Sequence, residues 1–339
     1  MIVVMAHLSA HENVENVIAH IRKRGLSSQL NEGVERTVIG VLGEVYEELQ
    51  DELTVMPGVI EVFRISKPYK LASREFSEKD TVVYIGDSRV PIGAGHFTVF
   101  AGPCAVESEE QTVATARAVK EAGAKVLRGG AFKPRTSPYS FRGMFEDGLK
   151  ILSSARSETG MPIITEVMSP KDVDLVARYA DVLQVGARNM QNYSLLDEVG
   201  MTDKPVMVKR GMSASYEDWL LAAEYVMAKG NHQVILTERG IRTFETFTRN
   251  TFDLNAIPAV RSLSHLPIVA DPSHSTGRAF MVKPMAMAAT AAGADGLIIE
   301  VHPNPDMAKC DGAQSLTFDG FSGLMGSVNA IRELVVNDQ

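Results

Sequence analysis

Cys104, His274, Glu300 and Asp311 offer one thiol, one imidazole and two carboxylates. Such a donor set suits Mn²⁺, Fe²⁺, Co²⁺ or Zn²⁺ and leaves coordination positions open for substrate or water. A second set is cationic: Arg128, Lys133, Arg135, Arg188, Lys209, Arg210 and Arg239. Arginine forks grip phosphate and carboxylate through paired hydrogen bonds. Charge-assisted bonds contribute about 1.5–3 kcal/mol each, so three or four hold a phosphate and a carboxylate together. So many cations fit more than one phosphorylated ligand. The loop KPRTSPY (133–139) places the Thr136 and Ser137 hydroxyls beside Arg135, stiffened by two prolines. It reads as a second phosphate cradle. Taken singly, each residue has an ordinary explanation, since a lone cysteine is most often a small buried hydrophobe.

Position in the chain gives the set its weight. Eight apolar runs, rich in Val, Ile and Leu, recur along 96–301 and end near Cys104, Arg128, Glu166, Arg188, Lys209, Arg239, His274 and Glu300. Each is followed by a helix-like stretch. Eight β-then-α units predict a (β/α)₈ barrel, an α/β fold whose active site lies at the C-terminal ends of its strands. In a closed barrel, strand eight neighbours both strand one and strand seven. Cys104, His274 and Glu300 are therefore expected to converge, with Asp311 reaching them from the loop after strand eight.

The helices are expected at 109–122, 146–158, 170–179, 193–200, 215–229, within 250–262, at 283–293 and at about 322–336. Tyr216, Trp219, Leu220, Ala223 and Met227 share one helical face, which predicts a core position for Trp219. Pro284 is expected in a first helical turn, where proline is tolerated. Ahead of the barrel, 1–66 reads β-α-β-β-α-β, a small ferredoxin-like α+β domain. Its helices fall near 12–24 and 45–56, and its hairpin bends at Gly33. Residues 67–80 are polar and read as a linker. Residues 81–100 read as a hairpin, turning at Asp87 and Ser88, that runs into the catalytic barrel, 81–339.

Composition narrows the class. Apolar residues make up 45% and charged residues 22% of the 339, which fits a globular protein. No apolar run approaches the ~20 residues of a membrane helix, and MIVVMAHL reads as a strand rather than a leader. A net charge of −8 argues against a general nucleic-acid binder. It does not exclude anionic substrates, because surface charge is screened over ~8 Å. Two cysteines, Cys104 and Cys310, give no disulfide framework, so a reducing cytoplasm is expected.

AGPCAVES (101–108), LRGGAFKPRTSPYSF (127–141), GARNMQN (186–192), KRG (209–211), ERGIRTFE (238–245), TRNTFDL (248–254), DPSHSTGR (271–278), EVHPNP (300–305) and DGAQSL (311–316) together resemble 3-deoxy-D-arabino-heptulosonate 7-phosphate (DAHP) synthases of the type I β subfamily. RTVIGVLG (36–43) and KPYKLASREF (67–76) resemble the form with an N-terminal ferredoxin-like regulatory domain. The resemblance implies condensation of phosphoenolpyruvate with erythrose 4-phosphate. It implies a divalent ion, of undetermined identity, on Cys104, His274, Glu300 and Asp311. It places phosphoenolpyruvate on Arg128, Lys133, Arg188, Lys209 and Arg239. It places the aldose phosphate on Arg135, Thr136 and Ser137, with Ser275 and Arg278 assisting. Lys133 is the expected proton donor, with a pKa lowered by its cationic neighbours. Glu166 or Asp271 is expected to orient water or a ligand, and His302 to stand behind the ligands.

The implied assembly is a homotetramer, with Tyr or Phe as the feedback ligand of the N-terminal domain. Ala105 and Ala279-Phe280 depart from the family pattern. The sister 3-deoxy-D-manno-octulosonate 8-phosphate synthases resemble the same barrel, but KPRTSP favours the four-carbon acceptor. A non-catalytic sensor is the reading from another class, and the intact ligand and cation sets argue against it. Because Cys310 adjoins Asp311, it is also expected near Cys104 and able to pair with it on oxidation.

Overall fold

The computed structural model describes residues 1–7, 9–32, 37–43, 45–46, 48–64, 67–135 and 137–337. The chain divides into two compact units, Met1–Pro68 and Tyr69–Gln339.

The first unit runs β1 (Ile2–Met5), α1 (His11–Lys23), β2 (Ser27–Glu32), β3 (Thr37–Leu42), α2 (Glu48–Thr54) and β4 (Val59–Phe63). Its sheet has the order β2-β3-β1-β4, with the described pairings antiparallel. Val14, Val17, Ile18 and Ile21 recur at helical spacing and bury one stripe of α1 against Val3, Met5 and Ile39. This is the expected ferredoxin-like arrangement; the bend at Gly33 lies outside the described residues.

In the second unit, β5 (Val83–Ile85) and β6 (Val90–Ile92) form a hairpin. The barrel strands follow: β7 (Thr98–Gly102), β8 (Val126–Arg128), β9 (Ile163–Val167), β10 (Val182–Val185), β11 (Val206–Lys209), β12 (Val234–Glu238), β13 (Ile268–Ala270) and β14 (Gly296–Glu300). All pairings are parallel, and β14 closes on β7. The helices are α3 (Glu109–Glu121), α4 (Phe145–Thr159), α5 (Val173–Tyr179), α6 (Tyr193–Gly200), α7 (Tyr216–Ala228), α8 (Ala256–Leu263), α9 (Pro272–Thr276), α10 (Ala279–Ala291) and α11 (Phe318–Asn337). Ser108 caps α3 by accepting from Gln111 N, and a Ser215–Asp218 capping box starts α7. Trp219 is fully buried and donates to the Val208 carbonyl at 3.0 Å.

Each strand sends one apolar side chain into a common interior layer: Phe100, Val126, Ile164, Val182, Met207, Ile235, Val269 and Ile298. Val83, Ile85 and Ile92 of the hairpin pack onto this layer and plug the N-terminal end. The barrel is thus a solid floor, open only at the other end.

Three expectations are corrected. The stretch 67–80 is packed on the barrel from Tyr69 onward. Tyr69 and Ala72 join the barrel's outer core, and the Glu224 carboxylate of α7 accepts the Leu71 and Ala72 N–H groups, each at 2.9 Å. Polarity there marks partners rather than freedom. Helix α8 starts only at Ala256, because 239–255 is committed to a loop held by the Ile241–Thr251 backbone bridge. Helix α10 starts at Ala279, directly after Gly277 (φ 68°) ends α9, so Pro284 stands inside the helix rather than in its first turn. The residue whose carbonyl loses its helical partner is Phe280, which is exposed, near solvent that replaces the bond.

Replacing Glu224 with Ala should remove both clamps on 71–72 and cost about 2 kcal/mol. Urea unfolding of the full chain would show it, with faster proteolysis within 67–80; an unchanged midpoint would show that the clamp contributes nothing.

Candidate active site

Side chains alternate along a strand, so the next inward-facing residue lies two positions on. Two residues past the apolar layer stand Gly102, Arg128, Glu166, Gln184, Lys209, Thr237, Asp271 and Glu300. One step up the strands therefore changes the barrel interior from hydrocarbon to polar groups, five of the eight ionisable. Gly102 (φ 155°) is required here: a Cβ would come within 2.1 Å of the Arg128 carbonyl oxygen. At the same end, a Cβ on Gly186 would come within 2.1 Å of Glu166 Oε1.

The charges are buried and paired. Arg128 Nη1 donates to Glu300 Oε1 at 2.5 Å, and Gln314 Nε2 to Glu300 Oε2 at 2.6 Å. Lys209 Nζ lies 2.6 Å from Asp271 Oδ2. Asp271 also caps the short α9, accepting His274 N at 2.9 Å, and its Oδ2 holds His274 Nδ1 at 2.8 Å. That leaves His274 Nε2 facing Glu300 Oε1 at 3.2 Å. A carboxylate behind a histidine fixes its tautomer and aims its other nitrogen, the usual arrangement behind a metal ligand.

Lys133 Nζ donates to the Cys104 carbonyl at 2.9 Å and to its Sγ at 3.1 Å. Cys104 Sγ lies 3.0 Å from Cys310 Sγ and 3.5 Å from Asp311 Oδ2. The proximity expected from the place of Cys310 beside Asp311 is therefore met, and both cysteines are free thiols.

Two trios of donor atoms lie within 4.8 Å of one another: His274, Glu300 and Asp311, and Cys104, Cys310 and Asp311. The four residues expected as ligands thus fall into two overlapping groups joined by Asp311. Their chemistry fits a divalent ion. Asp311 sits at φ 52°, a left-handed conformation unusual outside glycine.

Beside the trios opens a cavity of about 450 Å³, lined by Arg128, Lys133, Arg135, Ser137, Glu166, Gln184, Arg188, Lys209 and Arg239. Arg242, Arg249 and Asn250 line it too. They stand within the segments ERGIRTFE and TRNTFDL, but the loop that carries them has no periodicity to flag them. Arg249 pairs with Asp311 at 3.2 Å. Arg210 does not line the cavity; it holds Glu238 at 2.9 Å and Asp253 at 2.8 Å and braces the loop from below.

Ser275 and Arg278 also stay out of the cavity lining. Ser275 is fully buried and donates to the Pro272 carbonyl, while Arg278 stacks on Phe247 and donates to its carbonyl. Thr136 lies outside the described residues. Ala105 is buried and bridges Gly130, so the departure there is accommodated in the core. A larger cavity of about 960 Å³, lined by His96, Arg261 and Arg332, lies near the strand beginnings. There Arg261 is held by Asp295 and Asp80, and among the described residues no cluster of donors stands there like that at the strand ends.

Burial penalises the Lys133 ammonium, but the neighbouring Cys104 and Cys310 sulfurs and Glu300 more than offset it, so its pKa is raised. The expected lowering is therefore corrected: the ammonium is held by the Cys104 carbonyl and sulfur, and the charges of the two sulfurs and Glu300 outweigh that of Arg128. The lysine that is lowered is Lys209, by burial first and then by Arg128. Burial pushes the Cys104 thiol up, whereas the hydrogen bond that Cys310 receives from Cys104 draws Cys310 down. Burial opposes the Asp271 and Glu300 charges, yet His274 and the cations around them hold both well below the ordinary carboxylate range.

A barrel with a donor cluster and a cationic cavity at its strand ends defines a phosphate-handling enzyme with a site fit for a metal. Comparison with known proteins narrows this. The profile of the DAHP synthetase I family matches residues 74–335, and that of the DAHP synthase ferredoxin-like domain matches 1–67. A phospho-2-dehydro-3-deoxyheptonate aldolase of Thermotoga maritima is 48% identical over 98% of both chains. The crystal structure of a Thermotoga maritima protein of that name superposes with a TM-score of 0.94 at 47% identity, covering 98% of this chain and 97% of that one. A 2-dehydro-3-deoxyphosphooctonate aldolase of Syntrophobacter fumaroxidans is 34% identical, covering 72% of this chain and 90% of its own. The chain belongs to the DAHP synthetase I family and is an enzyme of the 3-deoxy-7-phosphoheptulonate synthase class.

Asp271→Asn should leave the Lys209 charge buried without its counter-charge, at about 3–5 kcal/mol of stability. It should also weaken Mn²⁺ binding roughly 10–100-fold through His274. The folded pKa of Asp271 lies below its unfolded value of about 3.9. Its contribution is therefore complete above that pH and fades as pH falls through the folded value. The stability gap between wild type and variant should accordingly shrink below about pH 4; a constant gap in acid would remove Asp271 from this role.

Proposed function

We propose that this chain condenses phosphoenolpyruvate with erythrose 4-phosphate, giving DAHP and inorganic phosphate, with the help of a divalent ion. The observation that carries the reading is one cavity bordered by both donor trios and a ring of cations. The Thermotoga relative of matching length supports it.

In this reading Arg128, Lys133, Arg188, Lys209 and Arg239 hold the phosphate and carboxylate of phosphoenolpyruvate. Arg135, Thr136 and Ser137 cradle the aldose phosphate. Cys104, His274, Glu300 and Asp311 hold the ion, which is Mn²⁺, Fe²⁺, Co²⁺ or Zn²⁺ and supplies Lewis acidity toward the aldehyde when bound. C3 of the enol attacks the aldehyde carbon, water adds at C2, and phosphate leaves by C–O cleavage. Lys133 is a cation at neutral pH, and its Nζ, held by the Cys104 carbonyl and sulfur, stabilises the aldehyde oxygen and supplies its proton as negative charge develops there. Glu166, on the cavity wall, orients the water bound for C2. The residues thus align two anionic substrates, and the aligned geometry lowers the barrier.

We assign the domain at 1–66 to feedback control by Tyr or Phe, in a cytoplasmic homotetramer. Among the described residues no helix is long and apolar enough to cross a membrane. The family relatives acting on the octulosonate side make arabinose 5-phosphate the competing acceptor.

The test is loss of phosphoenolpyruvate with each aldose phosphate, after chelation and after Mn²⁺ is restored. Metal-dependent turnover with erythrose 4-phosphate alone is expected. Turnover with arabinose 5-phosphate would move the chain to the sister activity, and none with either would favour the sensor. Deleting 1–66 should abolish inhibition by Tyr or Phe and keep turnover. Inhibition that survives the deletion would end the regulatory assignment.

A further inference from the structure

We propose that Cys310 turns this metal centre into a dithiolate site, so that a thiophilic divalent ion is held by Cys104, Cys310 and Asp311 together. The inference rests on the reading that the site takes a metal. It assigns to Cys310 a role that the four-ligand set does not contain.

Three observations carry it. Cys310 is buried with its sulfur 3.0 Å from that of Cys104, in a small cluster with Ala105 against which Phe141 packs. The donor atoms of Cys104, Cys310 and Asp311 lie within 4.8 Å of one another, as do those of His274, Glu300 and Asp311. The spacings suit one ion. On a tetrahedral Zn²⁺, with Zn–S about 2.3 Å and Zn–O about 2.1 Å, a sulfur and an oxygen sit roughly 3.6 Å apart and two sulfurs roughly 3.8 Å apart. Cys104 Sγ and Asp311 Oδ2 are 3.5 Å apart, and the two sulfurs are 3.0 Å apart. Opening the sulfur pair by under an ångström brings both of these spacings to the values for one ion.

Asp311 belongs to both trios, so the centre offers two overlapping positions. Mn²⁺ prefers oxygen and imidazole and fits the His274, Glu300 and Asp311 side. Zn²⁺ or Cd²⁺ prefers thiolate and is drawn toward the two sulfurs. Lys133 Nζ, 3.1 Å from Cys104 Sγ, offsets part of the charge that a second thiolate adds. Cys310 thereby sets which ions compete best for the centre, and it biases the site toward soft ones.

The experiment uses the full chain, reduced and freed of metal by chelation, then loaded with one equivalent of Zn²⁺ or Co²⁺. X-ray absorption at the zinc edge should count two sulfurs in wild type and one in Cys310→Ser. The thiolate-to-cobalt band in the near ultraviolet should fall by half per bound ion in that variant. Competition between Zn²⁺ and Mn²⁺ should show the preference for Zn²⁺ reduced on the order of 10-fold or more by the substitution. One sulfur in the wild-type zinc protein overturns the dithiolate while leaving the metal reading intact. Failure to bind either ion stoichiometrically overturns both. The wild-type sulfur count decides the matter even if Cys310→Ser does not fold.

Discussion

Charge taken out of water is costly unless opposite charge meets it in good geometry. Arg128, Lys133, Lys209, Arg210 and Arg239 are all nearly buried at the strand ends, beside Glu238, Asp271 and Glu300. Asp271 is the joint of this network. Its carboxylate, itself fully buried, holds Lys209, caps α9 and orients His274. The donor side and the anion-binding side of the cavity therefore share one carboxylate, and neither side can move alone.

What makes the network possible is the apolar floor beneath it. The eight interior residues from Phe100 to Ile298, sealed from below by Val83, Ile85 and Ile92, keep water out of the barrel. A two-residue step upward then places a polar or charged side chain at nearly every strand end. A low-dielectric floor strengthens each pairing above it. The same floor makes those pairings obligatory, because the charges have no route to solvent on that side.

This layering also explains how much was legible beforehand. The eight runs, their order and the convergence of Cys104, His274 and Glu300 follow from strand periodicity and barrel closure, which are local patterns joined by one topological rule. The N-terminal β-α-β-β-α-β order was readable for the same reason. Asp271 was harder to weigh, since its importance lies in three simultaneous contacts rather than in its own spacing. Arg242, Arg249 and Asn250 escaped because an irregular loop carries no period. Ser275 and Arg278 misled in the opposite direction: they adjoin a ligand in sequence, but α9 turns the Ser275 hydroxyl back onto its own helix. Lys133 lines the cavity, but the direction of its pKa shift was not legible, because Cys104 and Cys310 come near it only through the fold.

Part of the remaining cost of the fold lies where ligands bind. Among the described residues, Arg128 Nε is buried without a hydrogen-bond partner while its Nη1 is held by Glu300, and Thr237 Oγ1 in the same layer also has none. Nearby, Asp311 holds a left-handed backbone conformation. A buried polar group left unpaired costs about 1–3 kcal/mol, and a non-glycine residue in that conformation costs a comparable amount. These three penalties lie in and around the cationic cavity, above the apolar floor. Anions that satisfy Arg128 would recover part of the cost, and so would an ion that fixes Asp311. The binding energy available to substrates is thus partly stored in the fold, on a rigid base that does not deform to relieve it.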